Sequence, residues 1–431
     1  MTFTKNPIQK LLVATSVAVY AFSANVAAQD DKGKDQPKAT PPSVCADYQK
    51  SSTSVPGQRV GKKIQNAFEE YSNDNVQGAL EILYDIDTSN EFDRAYTDRF
   101  IGNLLAAQEG KAQEALRYLT RAVEANELND SEQFGTMKLV ADLSMQEENY
   151  REALKWYQRW LDETCKNNPD VYVRMSQAYY ETKQLDKMVA PANKAIQYAE
   201  KPDKNPYVLK MTSYYERKMY PQAIEVTEQL VKLFPETDQW WTQLAFFYML
   251  VENYPQALQT MDLAYKQGYV DKKSEIKALA QLFATNGIPY KSAKLYEEAL
   301  NSGMIEKDAK SFATIANTWH QAKDVLKAAD YYGKAGALSN DPDHFRRQGS
   351  LLMAAQEYGK AVRALDKAIS LATDDKGNLY MSMMEANFYQ GKFKEALRYV
   401  QLAKQDSSTR RSANSWEPYI REKAKNRGIQ L

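Results

Sequence analysis

Histidine and cysteine are almost missing from this chain, with two of each in 431 residues. Zinc sites with several ligands, iron–sulfur clusters and Cys/His catalytic sets therefore have almost no raw material. An excess of one charge is missing too, because 56 basic residues face 56 acidic ones. A general nucleic-acid binder needs a basic surplus to displace counterions, so the balance argues against that class. No G-x-S-x-G, no H-E-x-x-H and no glycine-rich phosphate loop occurs. Adjacent carboxylates are common, but with 26% charged residues they read as solvated faces. His320 and His344 have no His or Cys at helical spacing to complete a metal site, and His320 reads as a groove or surface residue. The residues nominate no catalytic group, no metal and no cofactor, and a non-catalytic protein is expected.

What is present begins with an address. Lys5 and Lys10 precede an uncharged stretch from Leu11 to Phe22, followed by Ser23-Ala24-Asn25-Val26-Ala27-Ala28. A basic start, a short apolar core and small residues before the break make a secretory signal peptide over residues 1–28, cleaved after Ala28. Spanning a bilayer takes about 20 apolar residues, and this stretch falls short. Export to the bacterial periplasm is the expectation. Removing 28 residues takes away two lysines and leaves 54 basic against 56 acidic groups, or −2. Residues 29–60 are polar and rich in Lys, Asp, Pro and Ser, a composition that cannot offset its ordering entropy, and they read as a flexible arm.

The remainder repeats itself. "NYREAL" at Asn149, "MYPQAI" at Met219, "NYPQAL" at Asn253, "EYGKAV" at Glu357 and "KFKEAL" at Lys392 are variants of one phrase. The small residue of that phrase anchors ten units at Ala79, Ala115, Ala153, Met188, Ala223, Ala257, Ala293, Ala328, Ala361 and Ala396. The intervals between anchors are 36, 38, 35, 35, 34, 36, 35, 33 and 35 residues. Three residues before the anchor stand Tyr150, Tyr220, Tyr254, Tyr290, Tyr358 and Phe393. Small residues recur seven after it, as at Ala122 and Ala264, and twelve before it, as at Ala141 and Ala245. Apolar spacing of three and four within each unit predicts two amphipathic helices, and nothing reads as a strand. Small residues let paired helices approach closely, and large aromatics fill the gaps between pairs. The 29 tyrosines are accordingly expected in the repeat core for the most part.

In this pattern the chain resembles the tetratricopeptide repeat proteins, whose unit is a 34-residue helix pair. The resemblance implies an all-α superhelical solenoid of about ten helix pairs over residues 61–410. Residues 411–431 supply a C-terminal capping helix and tail, with Trp416, Ile420 and Ala424 on its apolar face. Met188 in place of the anchor alanine, and extra residues at the joints of repeats three and seven, depart from the pattern. The Lys/Asn pair of chaperone-binding members is not reproduced, since Ala313 stands where its lysine would be, beside Asn317.

Such a solenoid has a concave face lined by first helices, in a stripe fifteen, eleven and eight residues before each anchor. The stripe reads Val173, Gln177, Tyr180; Val208, Thr212, Tyr215; and Thr242, Phe246, Met249, with Asn317 and His320 further along. Aromatic and Met side chains on a solvent-facing stripe mark a partner site, centred on repeats four to six. The alternative is that these rings pack against the neighbouring repeat or an inserted segment. Cys45 and Cys165, in an oxidising compartment, are expected to be joined and to fasten the arm to repeat three. A free pair of thiols and an intermolecular bond are the alternatives.

A narrower resemblance rests on Trp240-Trp241-Thr242-Gln243-Leu244, Asn286-Gly287-Ile288-Pro289-Tyr290 and Trp416-Glu417-Pro418-Tyr419-Ile420. With these phrases the chain is similar to exported repeat proteins that accompany TonB–ExbB–ExbD systems of marine gammaproteobacteria. That similarity implies a periplasmic accessory of energy transduction for siderophore or nutrient uptake, with TonB, ExbB or ExbD subunits as partners and at most peripheral membrane association. The rival expectation is a scaffold for outer-membrane, peptidoglycan or polysaccharide assembly.

Overall fold

The computed structural model describes Cys45 and residues 53–374 and 376–431. The expected signal peptide, its cleavage point and most of the expected arm lie outside the described residues. Ten helix pairs follow one another. The first five are α1 (Gln58–Ser72) with α2 (Val76–Tyr84), α3 (Glu91–Ala106) with α4 (Ala112–Glu124), α5 (Asp130–Gln146) with α6 (Tyr150–Thr164), α7 (Pro169–Glu181) with α8 (Val189–Tyr198), and α9 (Lys204–Glu216) with α10 (Tyr220–Leu233). The second five are α11 (Asp238–Leu250) with α12 (Tyr254–Lys266), α13 (Lys273–Thr285) with α14 (Pro289–Asn301), α15 (Ala309–Gln321) with α16 (Val325–Ser339), α17 (Pro342–Ala354) with α18 (Tyr358–Leu371), and α19 (Lys376–Tyr389) with α20 (Phe393–Ala403). A last helix, α21 (Arg410–Asn426), closes the row. Among the described residues there is no strand, and no helix is long and apolar enough to cross a membrane. The architecture is the expected all-α solenoid.

The reason for the pairing lies in the small residues. All ten anchors, from Ala79 to Ala396, have 0% exposure, and so do Ala122, Ala195, Ala264, Ala335, Ala368 and Ala403 seven residues later. Opposite them, Ala67, Ala141, Ser176, Ala245 and Ala316 on the first helices are equally buried. With side chains no larger than a methyl or hydroxymethyl at every crossing but that of Met188, two helix backbones come close, and bulkier neighbours interlock around them. Where even a methyl is too large the position is glycine. A Cβ on Gly102 would lie 2.5 Å from Leu119 Cγ, and one on Gly349 would lie 2.7 Å from a Leu365 methyl.

Each turn inside a pair closes on one left-handed residue: Asp74, Gly110, Glu148, Lys183, Lys218, Glu252, Gly287, Lys323, Gln356 or Gly391. Seven of these are not glycine, so the compact turn is held against the cost of positive φ by the packing on both sides. Repeat four departs at its second helix. There a 3-10 turn, Leu185–Met188, precedes α8, and Pro191 in the first turn of α8 has no N–H to continue an α ladder backwards. The buried Ser176 hydroxyl donates to the Met188 carbonyl at 2.9 Å across this junction.

Consecutive helices pack on one another along the whole row, and first helices also touch directly, as α7 touches α9 and α17 touches α19. The first helices therefore form one layer and the second helices another. The cap α21 buries Ala413, Ile420 and Ala424 against the last pair. Its Glu417 is gripped by Lys404 of the α20–α21 turn and by Arg421 one turn on.

The tyrosines correct one expectation. Only Tyr157, Tyr172, Tyr331, Tyr332 and Tyr399 are buried among the described residues. Of the column three before the anchor, Phe393 alone is buried, and Tyr290 is 54% exposed. Most rings sit half-buried at seams, because a tyrosine can cover apolar surface while its hydroxyl reaches a polar group. The Tyr157 hydroxyl donates to Asp142 at 2.5 Å, Tyr248 donates to Glu228, and Tyr332 donates to Asn317. Burial, followed by the hydrogen bond to Glu228, pushes the Tyr248 hydroxyl up to about 12.

Cys45 and Cys165 are joined, with Cα atoms 5.1 Å apart. Cys165 ends α6 in a left-handed conformation. Two further attachments follow, one to repeat three and one to repeat two. The Ser54 N–H donates to Asn129 Oδ1 at 2.8 Å, and Asn129 Nδ2 donates back to the Ser54 carbonyl at 3.1 Å. The Gly57 N–H donates to Asp93 Oδ1 at 2.9 Å, just before α1 begins at Gln58. The segment before α1 is thus bound to repeats three and two.

Candidate partner-binding face

The candidate stripe lies on the first-helix layer, and its residues divide by burial. Tyr180 ends α7 and Tyr215 ends α9, and both keep part of their surface open. Lys183 Nζ lies 4.7 Å from the centre of the Tyr180 ring, a cation–π arrangement at the rim. Tyr215 stacks on Phe247 of α11 at 5.5 Å and 29°, and it meets Tyr220 at 6.3 Å. The ring packs on the next repeat and keeps part of its surface open. Burial raises both hydroxyls above the ordinary tyrosine value, with Glu216 adding to the effect. The phenols stay neutral hydrogen-bonding groups at physiological pH.

Repeat six differs from repeats four and five. Phe246 is half-buried, but Met249 is only 3% exposed and Thr242 only 6%. Met249 belongs to the packing of α11 and not to the open face, which corrects its place among the groove residues. Phe247, next to Phe246, carries the core contact at 1% exposure. The open part of the stripe thus runs from Val173, Gln177 and Tyr180 through Val208, Thr212 and Tyr215 to Phe246.

Asn317 and His320 stand exposed on α15, two repeats further along the row, with α13 between them and α11. They share the layer but do not join Tyr180, Tyr215 and Phe246 in one site. The Asn317 carbonyl oxygen is already engaged by the Tyr332 hydroxyl. His344 is held at the start of α17, with Nδ1 3.4 Å from Asp341 and 3.3 Å from the Ser339 hydroxyl. Among the described residues no three His, Cys, Asp or Glu side chains converge as a metal cage requires.

Repeat seven hides a register shift. At the crossing position of α13 the fully buried small residue is Ala280, thirteen before the anchor, and the partly open Gln281 stands twelve before it, because the joint to α14 carries one extra residue. Lys277, Gln281 and Ala284 therefore occupy the partly open positions, while Ala278 and Leu282 are buried. The signal was available in the 36-residue interval between Ala257 and Ala293.

No protein-family model matches the chain, and no curated protein matches it. Among solved structures it is similar to residues 41 to the end of MamA from Desulfovibrio magneticus RS-1, at 18% identity and a TM-score of 0.33. That match covers 40% of this chain and 94% of the 41-to-end MamA chain. It is similar to YrrB, described as a TPR protein with an unusual peptide-binding site, at 17% identity and a TM-score of 0.34, over 47% of this chain and 97% of YrrB. It is also similar to the TPR2AB domain in the pHSP90 complex of yeast Sti1, at 16% identity and a TM-score of 0.34, over 62% of this chain and 99% of the other.

Proposed function

We propose that this protein is a non-catalytic interaction scaffold whose first-helix face over repeats four to six holds a segment of another protein. The observation that carries the reading is the run of half-buried side chains from Val173 to Phe246, with Tyr180 and Tyr215 keeping part of their surface open on consecutive repeats. Rings anchored from behind and open in front lose little freedom when a ligand covers them, which favours them as binding anchors. Helix pairs offer no buried catalytic group on this face, and its polar members are amides, hydroxyls and phenols.

The leader read in residues 1–28 supports export, and the Cys45–Cys165 bond is compatible with an oxidising compartment such as the periplasm. Within that compartment we take the TonB–ExbB–ExbD machinery as the partner, on the phrases around Trp240, Pro289 and Trp416. A photoreactive amino acid at Tyr215 tests the reading in cells, with crosslinks identified by mass spectrometry. A crosslink to a TonB-system subunit is the expected result. Crosslinks confined to lipid-transport or wall-assembly proteins would replace that partner with the envelope-assembly reading. Absence of any crosslink would return Tyr215 to a packing role.

A further inference from the structure

The far end of the same layer carries a different chemistry. On α19, Met381, Glu385, Phe388 and Tyr389 follow one another at helical spacing and lie on one face. Phe388 is the hub of an aromatic basin. Its ring lies 5.4 Å from Trp416 and 5.5 Å from Tyr419, both on α21, and 5.5 Å from Tyr389. Tyr389 in turn stacks on Tyr358 of α18 at 5.2 Å and 17°. The rim is open: Tyr389 is 55% exposed and Tyr419 44%.

Glu385 sits half-buried beside this basin, and its side chain makes no hydrogen bond or ion pair among the described residues. The other carboxylate at the equivalent place on a first helix is Asp142, and it is neutralised. Lys138 lies 2.7 Å from it, the Tyr157 hydroxyl donates to it, and Arg174 stands 3.6 Å away. Cations of α21 and of its flanking turns are engaged elsewhere. Lys404 pairs with Glu417, Lys423 lies 5.3 Å from the Tyr419 ring, and Arg427 lies 5.5 Å from the Phe393 ring. Burial alone lifts the Glu385 carboxyl above its ordinary range, the mark of a charge held without compensation.

An unpaired, half-desolvated carboxylate one helical turn from an aromatic cluster is complementary to a cation that is flat and weakly hydrated. We propose that the end of the first-helix layer, between α19 and the cap α21, is a second binding site that takes an arginine side chain of a partner segment. The guanidinium pairs with Glu385 and lies against the rings of Phe388 and its neighbours. Arginine fits better than lysine, because its planar fork can stack and donate two parallel hydrogen bonds to one carboxylate. The site stands apart from the Tyr180–Phe246 stripe and does not rest on the function proposed for that stripe.

The test uses the full chain and two fluorescein-labelled twelve-residue peptides, one with three arginines and one with citrulline at the same places. Citrulline keeps the shape of the side chain and removes its charge. Fluorescence anisotropy is expected to show roughly tenfold tighter binding of the arginine peptide, as for one charge-assisted hydrogen-bonded pair. Glu385→Gln is expected to bring the ratio of the two affinities close to one. Glu422→Gln removes the same charge from an exposed position of α21 and is expected to leave the ratio as it is. Equal affinities for the unmodified protein, binding of neither peptide, a ratio that survives Glu385→Gln, or an equal drop in Glu422→Gln would each overturn the proposal. The last outcome would assign the preference to diffuse electrostatics. Circular dichroism of each variant shows whether the helices are retained.

Discussion

Replacing both Cys45 and Cys165 by alanine should loosen one end of the solenoid and leave the other unchanged. The bond closes a loop of 120 residues, which contains repeats one to three almost entirely. Chain-entropy reasoning puts the denatured-state cost of such a loop at about 4.9 kcal/mol, an upper figure if the unfolded segment keeps some structure. In a solenoid each repeat contacts only its neighbours, so this stabilisation is felt only by openings that release repeats one to three together. Two native attachments remain without the bond, the reciprocal Ser54–Asn129 pair and the Gly57–Asp93 hydrogen bond, and each contributes on the order of 1 kcal/mol. Hydrogen exchange read by mass spectrometry resolves the two ends. Amides of α2, α4 and α6 should lose up to about three orders of magnitude of protection, the equivalent of about 4 kcal/mol. Amides of α16, α18 and α20 should exchange as before. An equal loss along the whole row would refute nearest-neighbour behaviour and make the chain one cooperative unit. No loss anywhere would show that the segment before α1 is held by its contacts and not by the bond.

Other perturbations separate packing from binding. Gly102→Ala places a methyl 2.5 Å from Leu119, and overpacking of that kind should cost about 1–3 kcal/mol in a urea titration. Met249→Ala should cost about 2–5 kcal/mol, because it empties space behind the face, whereas Tyr180→Ala should cost roughly 1 kcal/mol yet weaken the partner crosslink. Lys404 and then Arg421 hold the Glu417 carboxyl down at about 2. A depressed carboxyl contributes stability that is fully present above its unfolded value near 4.5 and is lost as pH falls towards 2. Amides of α21 should accordingly lose protection over that window before those of α17, and uniform acid loosening of both helices would contradict the assignment.

The repeat frame was legible because it is a matter of residue size along the chain. A small residue is favoured wherever two helices cross, so nine alanines and Met188 at their common spacing announce ten crossings without reference to what lies further away. The capping helix was legible for the same reason, from Ile420 and Ala424 at helical spacing. The register of repeat seven was legible in principle and was concealed by one residue in a joint. Which residues of the stripe are open was legible only in part: Tyr180, Tyr215 and Phe246 keep surface open as their spacing implied, and Met249 does not. Phe246 and Phe247 are adjacent and chemically identical, yet one is half-buried and the other 1% exposed. Met249, at the position equivalent to Tyr180 and Tyr215, went to the core.

By itself, then, the amino-acid order determined helices, their pairing, their number and the layer in which each apolar face would lie, all consequences of local spacing. The tertiary structure decided what those layers leave uncovered. It joined Cys45 to Cys165 across 120 residues, buried Met249 beneath the face, and left Glu385 without a charged partner one helical turn from the rings of Phe388 and Tyr389. These features depend on side chains from different repeats meeting in space. No periodicity within one repeat encodes which neighbour's charge or ring will arrive opposite it.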